Sequence, residues 1–411
     1  MKAILKSSFL IFILYLYLFQ PPVIDKYYFI AAEIFLVIYL IILNKIKLND
    51  YKFFKSDLKI LGVIVLYAII RDLLALKEVY SFRFMAWGFQ SYILGIIICK
   101  YFIQNNLDLL KYLFYTSLTA SIITAGLVFF PAFDNWYNSV RINLNELEAY
   151  KNFDFRYRSY GISENLTFTY SFVMGLFASY SLIKLRKNSF YIISFIFFLF
   201  AVIYNARIGF VPVILTLIYI ICNKSYYKSL LKASLLLTAI VFFIRYRYPY
   251  VTDIALNNKK WVLEFFYSIS DLIFNTNYSR VNTLSTLGGD FIVFPKTLIG
   301  LIFGEGESLF GRSDVQSSDV GYILQIYYGG FFLLFLLGIL FINQVKRFSS
   351  YYSFKDWYFF IFFSSILILN FKGFIFSATP GGRILILIYL YKILEIKLKN
   401  SNNVIISRKS F

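Results

Sequence analysis

The chain contains no histidine, which removes the commonest metal ligand and the commonest general base together. Cysteine is almost as scarce. Cys99 and Cys222 fall at apolar-run ends expected on the cytoplasmic side and read as inert helix residues rather than a redox pair. Charge is thin at 15% of residues, where a soluble domain carries roughly 25%, so the composition lies outside the soluble globular class. There is also no internal repeat. The matched halves and broken, Gly/Pro-interrupted spans of inverted-repeat transporters therefore have little counterpart here.

What the chain has is apolar residues, 59% of 411, gathered into runs of about 20, each long enough to cross ~30 Å of hydrocarbon. The first, "SSFLIFILYLYLFQPPVI", is span-length and has no small-residue cleavage site, so it reads as a first helix rather than a cleavable signal. Spans are expected near 8–25, 27–44, 58–77, 83–103, 110–130, 164–183, 189–204, 207–222, 229–246, 319–342, 356–371 and 379–396. The fold class expected is thus an all-α polytopic integral membrane protein. It is read as a single transmembrane domain over 1–411, with about twelve helices and two long outer loops, about 131–163 and 247–318.

Orientation follows from the basic residues. The formal charge is +19, and nearly all of it falls on one side when both termini are placed inside. That side holds "NKIKLNDYKFFKSDLK", "KLRK", "NKSYYKSLLK", "VKRFSSYYSFK" and the Lys/Arg-rich tail. Short loops rich in Lys and Arg stay in the cytoplasm, so the basic charge reports membrane orientation rather than a nucleic-acid partner.

The outer side carries the candidate chemistry. In "SVRINLNELEAYKNFDFRYRSYGISENLTF", Arg141, Lys151, Arg156 and Arg158 lie among Tyr150, Phe153, Tyr157 and Tyr160. Arginine presents a planar fork suited to phosphate oxygens, and the plainer alternative is a solvated loop with ion pairs to Glu146, Glu148 and Asp154. Within "FFLFAVIYNARIGFVPVILTLIYI" only Asn205 and Arg207 interrupt the apolar residues. A tight helical hairpin is expected, its tip at Asn205–Ala206–Arg207. An arginine at full membrane depth costs roughly 2.5–3.5 kcal/mol on insertion scales, so an anionic partner or a snorkelling contact to lipid phosphates is implied. Arg71 and Arg207 are read as the interior arginines. Glu33 and Arg71, the latter beside Asp72, are read as a structural ion pair.

The second outer loop brings Arg280 in "NTNYSRVNTLSTLGGDF" and then "FPKTLIGLIFGEGESLFGRSDVQSSDVGY". The stretch 259–274 reads as an amphipathic helix on the outer leaflet. Gly304, Gly306 and Gly311 permit positive φ and close backbone approach, as a loop folded against a bulky ligand requires. Asp319 stands where a helix N-cap is expected, with Tyr322 almost a turn deeper.

This last stretch resembles a family. "GEG" followed by "SSDVGYILQIYYGG" is similar to the G-x-G turn and S-D-x-G-Y helix entry of Wzy-type O-antigen and capsule polymerases. The upstream Arg280, the "YRSYG" of the first outer loop and the arginine of the 205–209 turn fit the same pattern. The layout resembles that family over most of the chain, the motifs over one short stretch. The resemblance implies a GT-C-like polymerase/ligase architecture in a bacterial cytoplasmic membrane. It also implies a metal-independent glycosyltransferase with no cofactor. Such an enzyme moves the growing glycan from undecaprenyl pyrophosphate to a hydroxyl of the next lipid-linked repeat unit. The implied partners are that donor and acceptor, the bilayer and a chain-length regulator, with no nucleic acid. The implied catalytic residues are Asp319 as base (Glu305 or Glu307 behind it, a plain helix cap being the alternative) and Arg207 and Arg280 on the leaving pyrophosphate. Arg141, Arg158, Arg312, Tyr322, Gly304, Gly306 and Glu305 are the implied substrate contacts.

Two other activities are weighed against it. An O-antigen ligase resembles its relatives in an outer-loop histidine, which this chain lacks. A lipid-linked oligosaccharide flippase would carry its arginines along a central cavity, whereas most outer-side arginines here lie in the two long loops.

Overall fold

The computed structural model describes residues 2–42, 48–76, 79–140, 161–163, 166–185, 188–223, 292–307, 320–353, 356–373 and 375–409, with positions 227, 231 and 309. Among the described residues every regular element is a helix. They are α1 Lys2–Phe19, α2 Lys26–Ile42, α3 Lys55–Ala75, α4 Ser81–Gln104, α5 Leu109–Phe129, α6 Pro131–Val140 and α7 Ser171–Lys184. After these come α8 Phe190–Ile203, α9 Phe210–Cys222, α10 Leu298–Phe303, α11 Gly321–Ser349, α12 Trp357–Leu369 and α13 Pro380–Lys409.

Three of these, α4, α5 and α11, are long and apolar enough to cross a membrane, and apolar helices of 10–17 residues lie in α1, α2, α8, α9 and α12. Their positions coincide with expected spans. Large apolar side chains face outward on the same helices: Phe35 is 72% exposed, Ile42 72% and Phe335 63%. An apolar surface left open along span-length helices fits a lipid environment, because water would penalise it. The span expected near 229–246 and the helix expected over 259–274 lie outside the described residues. The stretch expected as the first long outer loop opens with a helix, α6, which buries Tyr137.

Contacts divide the chain into two compact units, residues 1–116 with 293–411, and residues 117–292. In the second unit α7 is the centre: every residue from Ser171 to Leu182 is buried. α8 and α9 both pack on α7, so the expected hairpin straddles a third helix. The crossing is close. The Ser171 hydroxyl donates to the Ala206 carbonyl at 2.5 Å, and a Cβ at Gly175 would overlap the Gly209 carbonyl. Small residues at such crossings let backbones approach where no hydrophobic force separates helix from lipid.

In the first unit α3 packs on α11 and on the start of α4, and α13 packs on the latter half of α4. α4 contains a π-helical segment, Gly88–Leu94. Such an inserted turn re-aims side chains and recurs at functional sites. At one end of the α3–α11 pair, the fully buried Asp57 accepts from Arg347 (2.9 Å) and Tyr389 (2.9 Å), and also from the Asn343 amide. The Tyr389 ring meets Phe54, Phe348 and Phe362 at 5.6–6.0 Å. At the other end of the same pair sits the glycine-spaced loop.

Candidate functional site

α11 is helical on both sides of Gly330, but Gly330 itself is at φ 69°, ψ −175°. That conformation is essentially restricted to glycine, and it interrupts the helical hydrogen bonds across positions 327–329. Buried carbonyls need partners, and they find them in the loop after α10. Glu305 N–H donates to the Tyr327 carbonyl (2.7 Å) and Gly306 N–H to that of Tyr328 (2.9 Å). The Tyr67 hydroxyl is 2.8 Å from the Gly329 carbonyl and 2.9 Å from that of Phe303.

The loop fits because its own glycines take positive φ, 81° at Gly304 and 72° at Gly306. A Cβ at Gly304 would overlap the Tyr328 carbonyl, one at Gly330 the Ile302 carbonyl, and one at Gly306 the Ala75 side chain. The G-x-G spacing therefore serves a close approach to the protein's own chain, to backbone at Gly304 and to the Ala75 side chain at Gly306. The "GEG" and "YYGG" elements of the motif meet in space as two halves of one joint.

The joint holds a cation. Arg71, near the end of α3, donates from Nη2 to the Gly304 carbonyl at 2.6 Å, while its buried Nε has no hydrogen-bond partner among the described residues. The expected ion pair with Glu33 does not form. Asp72 is taken by the Tyr328 hydroxyl (2.6 Å) and the Ser81 N–H (2.7 Å). Tyr80 covers Tyr328 at 4.5 Å between ring centroids, and the exposed Arg83 guanidinium lies 4.5 Å from the Tyr80 ring. Glu305 is half-buried, its Oε1 over Gly300. One guanidinium with donors to spare, a second on an aromatic shelf and a nearby carboxylate can bind an anion and orient a hydroxyl.

Tyr322 is placed away from this joint. Its N–H and hydroxyl engage the α12 end, at the Asn370 carbonyl (3.1 Å) and the Leu367 carbonyl (2.9 Å), where Gln325 and Asn370 also exchange side-chain hydrogen bonds. The N-cap position of α11 is Val320, in extended conformation. Asp319, Arg280, Arg141, Arg158, Arg312 and Gly311 lie outside the described residues. The backbone of Arg207 opens a 3-10 turn, Arg207–Gly209, between α8 and α9, beside the buried Asn205, whose amide donates to the Ala201 carbonyl at 2.8 Å.

Sequence reasoning missed Arg383. It is fully buried in the first turn of α13, so Arg71 and Arg207 are not the only interior arginines. Its Nη1 donates to Gln90 Oε1 (3.2 Å), Gln90 Nε2 donates to Glu33 Oε2 (2.7 Å), and Gln20 Nε2 approaches Glu33 Oε1 at 3.4 Å. The Tyr17 hydroxyl donates to the Gln90 carbonyl at 2.8 Å. Gln90 belongs to the π-helical segment, so the inserted turn links a buried cation to a carboxylate. The signal was present as an arginine inside "TPGGRILILIYL", within the span expected near 379–396.

No family model matches the chain, and neither a curated protein nor a solved structure matches it.

Proposed function

We propose that the chain is a repeat-unit polymerase of surface polysaccharide. It would cross a bacterial cytoplasmic membrane about twelve times, with both termini inside. It would transfer the growing glycan from undecaprenyl pyrophosphate to a hydroxyl of the next lipid-linked unit, without a metal. The observation that carries this reading is the joint of loop 304–307 with the Gly330 break in α11. The "GEG" and "YYGG" residues of the motif meet there beside a guanidinium, Arg71, that donates to the Gly304 carbonyl and whose buried Nε has no hydrogen-bond partner among the described residues. A leaving pyrophosphate develops charge, and a preorganised arginine with free donors stabilises it. Arg71 is thereby a cation for the pyrophosphate, with Asp319 or Glu305 orienting the acceptor.

The test is the surface glycan and the lipid-linked intermediates of a strain lacking the gene. Single units on the outer leaflet without long chains are expected. Arg71→Ala should reproduce that loss with the protein still inserted. Arg71→Lys should lower polymer yield at least about tenfold, since lysine keeps the charge but not the fork. Wild-type chain length in Arg71→Ala would remove the residue from the mechanism.

One observation favours a second reading. The Arg383–Gln90–Glu33 chain lies among packed helices, where a flippase would carry its charge. Repeat units confined to the inner leaflet of the deletion strain would select that activity instead.

A further inference from the structure

Opposite the loop joint, where α3 begins, a groove of about 390 Å³ is lined by Tyr51, Lys52, Lys55, Leu58 and Lys59. A 3-10 turn, Leu48–Phe54, leads into α3 there, and its spacing brings the three lysines to one side. All three are exposed, and among the described residues no acidic side chain lines the groove. The nearest carboxylate of α3, Asp57, is fully buried behind them and already holds Arg347. Further cations flank the turn, with Lys397 Nζ 4.5 Å from the Phe53 ring and the Arg347 guanidinium 5.5 Å from that of Phe54. Lysines that line one groove repel one another unless an anion lies between them.

We propose that this groove binds the phosphate of an anionic phospholipid headgroup. The lysines lie at the end of α3 that the charge asymmetry places at the cytoplasmic surface, where anionic lipids attract basic side chains. Leu58 and Tyr51 supply an apolar wall beside the charges, as an acyl-chain root requires and a free ion does not. The inference rests on that orientation and not on glycan chemistry, so a failed polymerisation assay leaves it standing.

The test uses the full chain in neutral detergent, titrated with phosphatidylglycerol or phosphatidylcholine, with retained lipid counted by native mass spectrometry. Wild type is expected to retain phosphatidylglycerol in preference to phosphatidylcholine. Each lysine near an anionic surface is worth roughly fivefold in affinity, so Lys52→Gln/Lys55→Gln/Lys59→Gln should weaken retention on the order of 100-fold, and Lys55→Gln alone by roughly fivefold. The exposed Lys111→Gln should change nothing. Unaltered retention in both groove variants, or equal loss in Lys111→Gln, overturns the proposal. Displacement of the lipid by millimolar inorganic phosphate alone overturns the lipid as the source of the anion.

Discussion

Gly304→Val is expected to unseat loop 304–307 and abolish function, at a cost above about 4 kcal/mol, in the range reserved for named structural lesions. Two costs combine. The backbone at Gly304, φ 81° and ψ 173°, lies in a region that side-chain-bearing residues scarcely populate. The new Cβ would also overlap the Tyr328 carbonyl, a backbone atom that cannot swing aside. Unseating strands the Tyr327 and Tyr328 carbonyls, each a buried acceptor whose loss costs about 1–3 kcal/mol. The measurement is thermal inactivation in detergent with trypsin accessibility at the half-buried Arg71, which should become cleavable. Gly338→Ala is the control, since a Cβ there meets nothing within 4 Å and the helical backbone gains up to about 1 kcal/mol from alanine. Equal stability of Gly304→Val and Gly338→Ala would contradict the joint.

The apolar runs were legible because span length is a one-dimensional signal, and α4, α5 and α11 lie where hydropathy places them. The glycine spacing was legible as a demand for positive φ, though not for what fills the space beside Gly304. That depends on the break at Gly330, 26 positions further along the chain, and no local pattern connects the two. Glu33 and Arg71 looked like partners because both are charges in apolar runs. Instead Glu33 accepts from a neutral amide, Gln90, and Arg71 donates to a backbone carbonyl, Gly304. Hydrogen bonds from a charge to neutral groups leave no trace in a charge pattern. The π-helical segment was invisible too: "GFQSYIL" has ordinary helical composition, and its contacts with α3 and α13 are made far along the chain.

The other large effect is expected at the far end of the α3–α11 pair. Asp57→Ala removes the carboxylate that holds Arg347, whose side chain is only 17% exposed, and leaves the Tyr389 hydroxyl and Asn343 amide without that acceptor. Breaking a buried pair from one side costs about 3–5 kcal/mol, because the remaining charge is uncompensated, whereas replacing both partners by apolar groups of similar volume is often near neutral. Asp57→Leu/Arg347→Met should therefore recover most of the loss. Recovery stays partial because the buried Tyr389 hydroxyl still lacks that acceptor, at about 1–3 kcal/mol, while the half-buried Asn343 amide keeps Ser56 Oγ at 2.9 Å. Unfolding midpoints of wild type, both single variants and the double variant give the coupling energy directly. If the two single losses simply add in the double variant, Asp57 and Arg347 act independently and the ion pair is not what joins α3 to α11. If the double variant is restored in stability but not in polymer yield, the pair also sets the register of α3 against α11. Arg71 and the Gly330 break then depend on a contact at the opposite end of the same two helices.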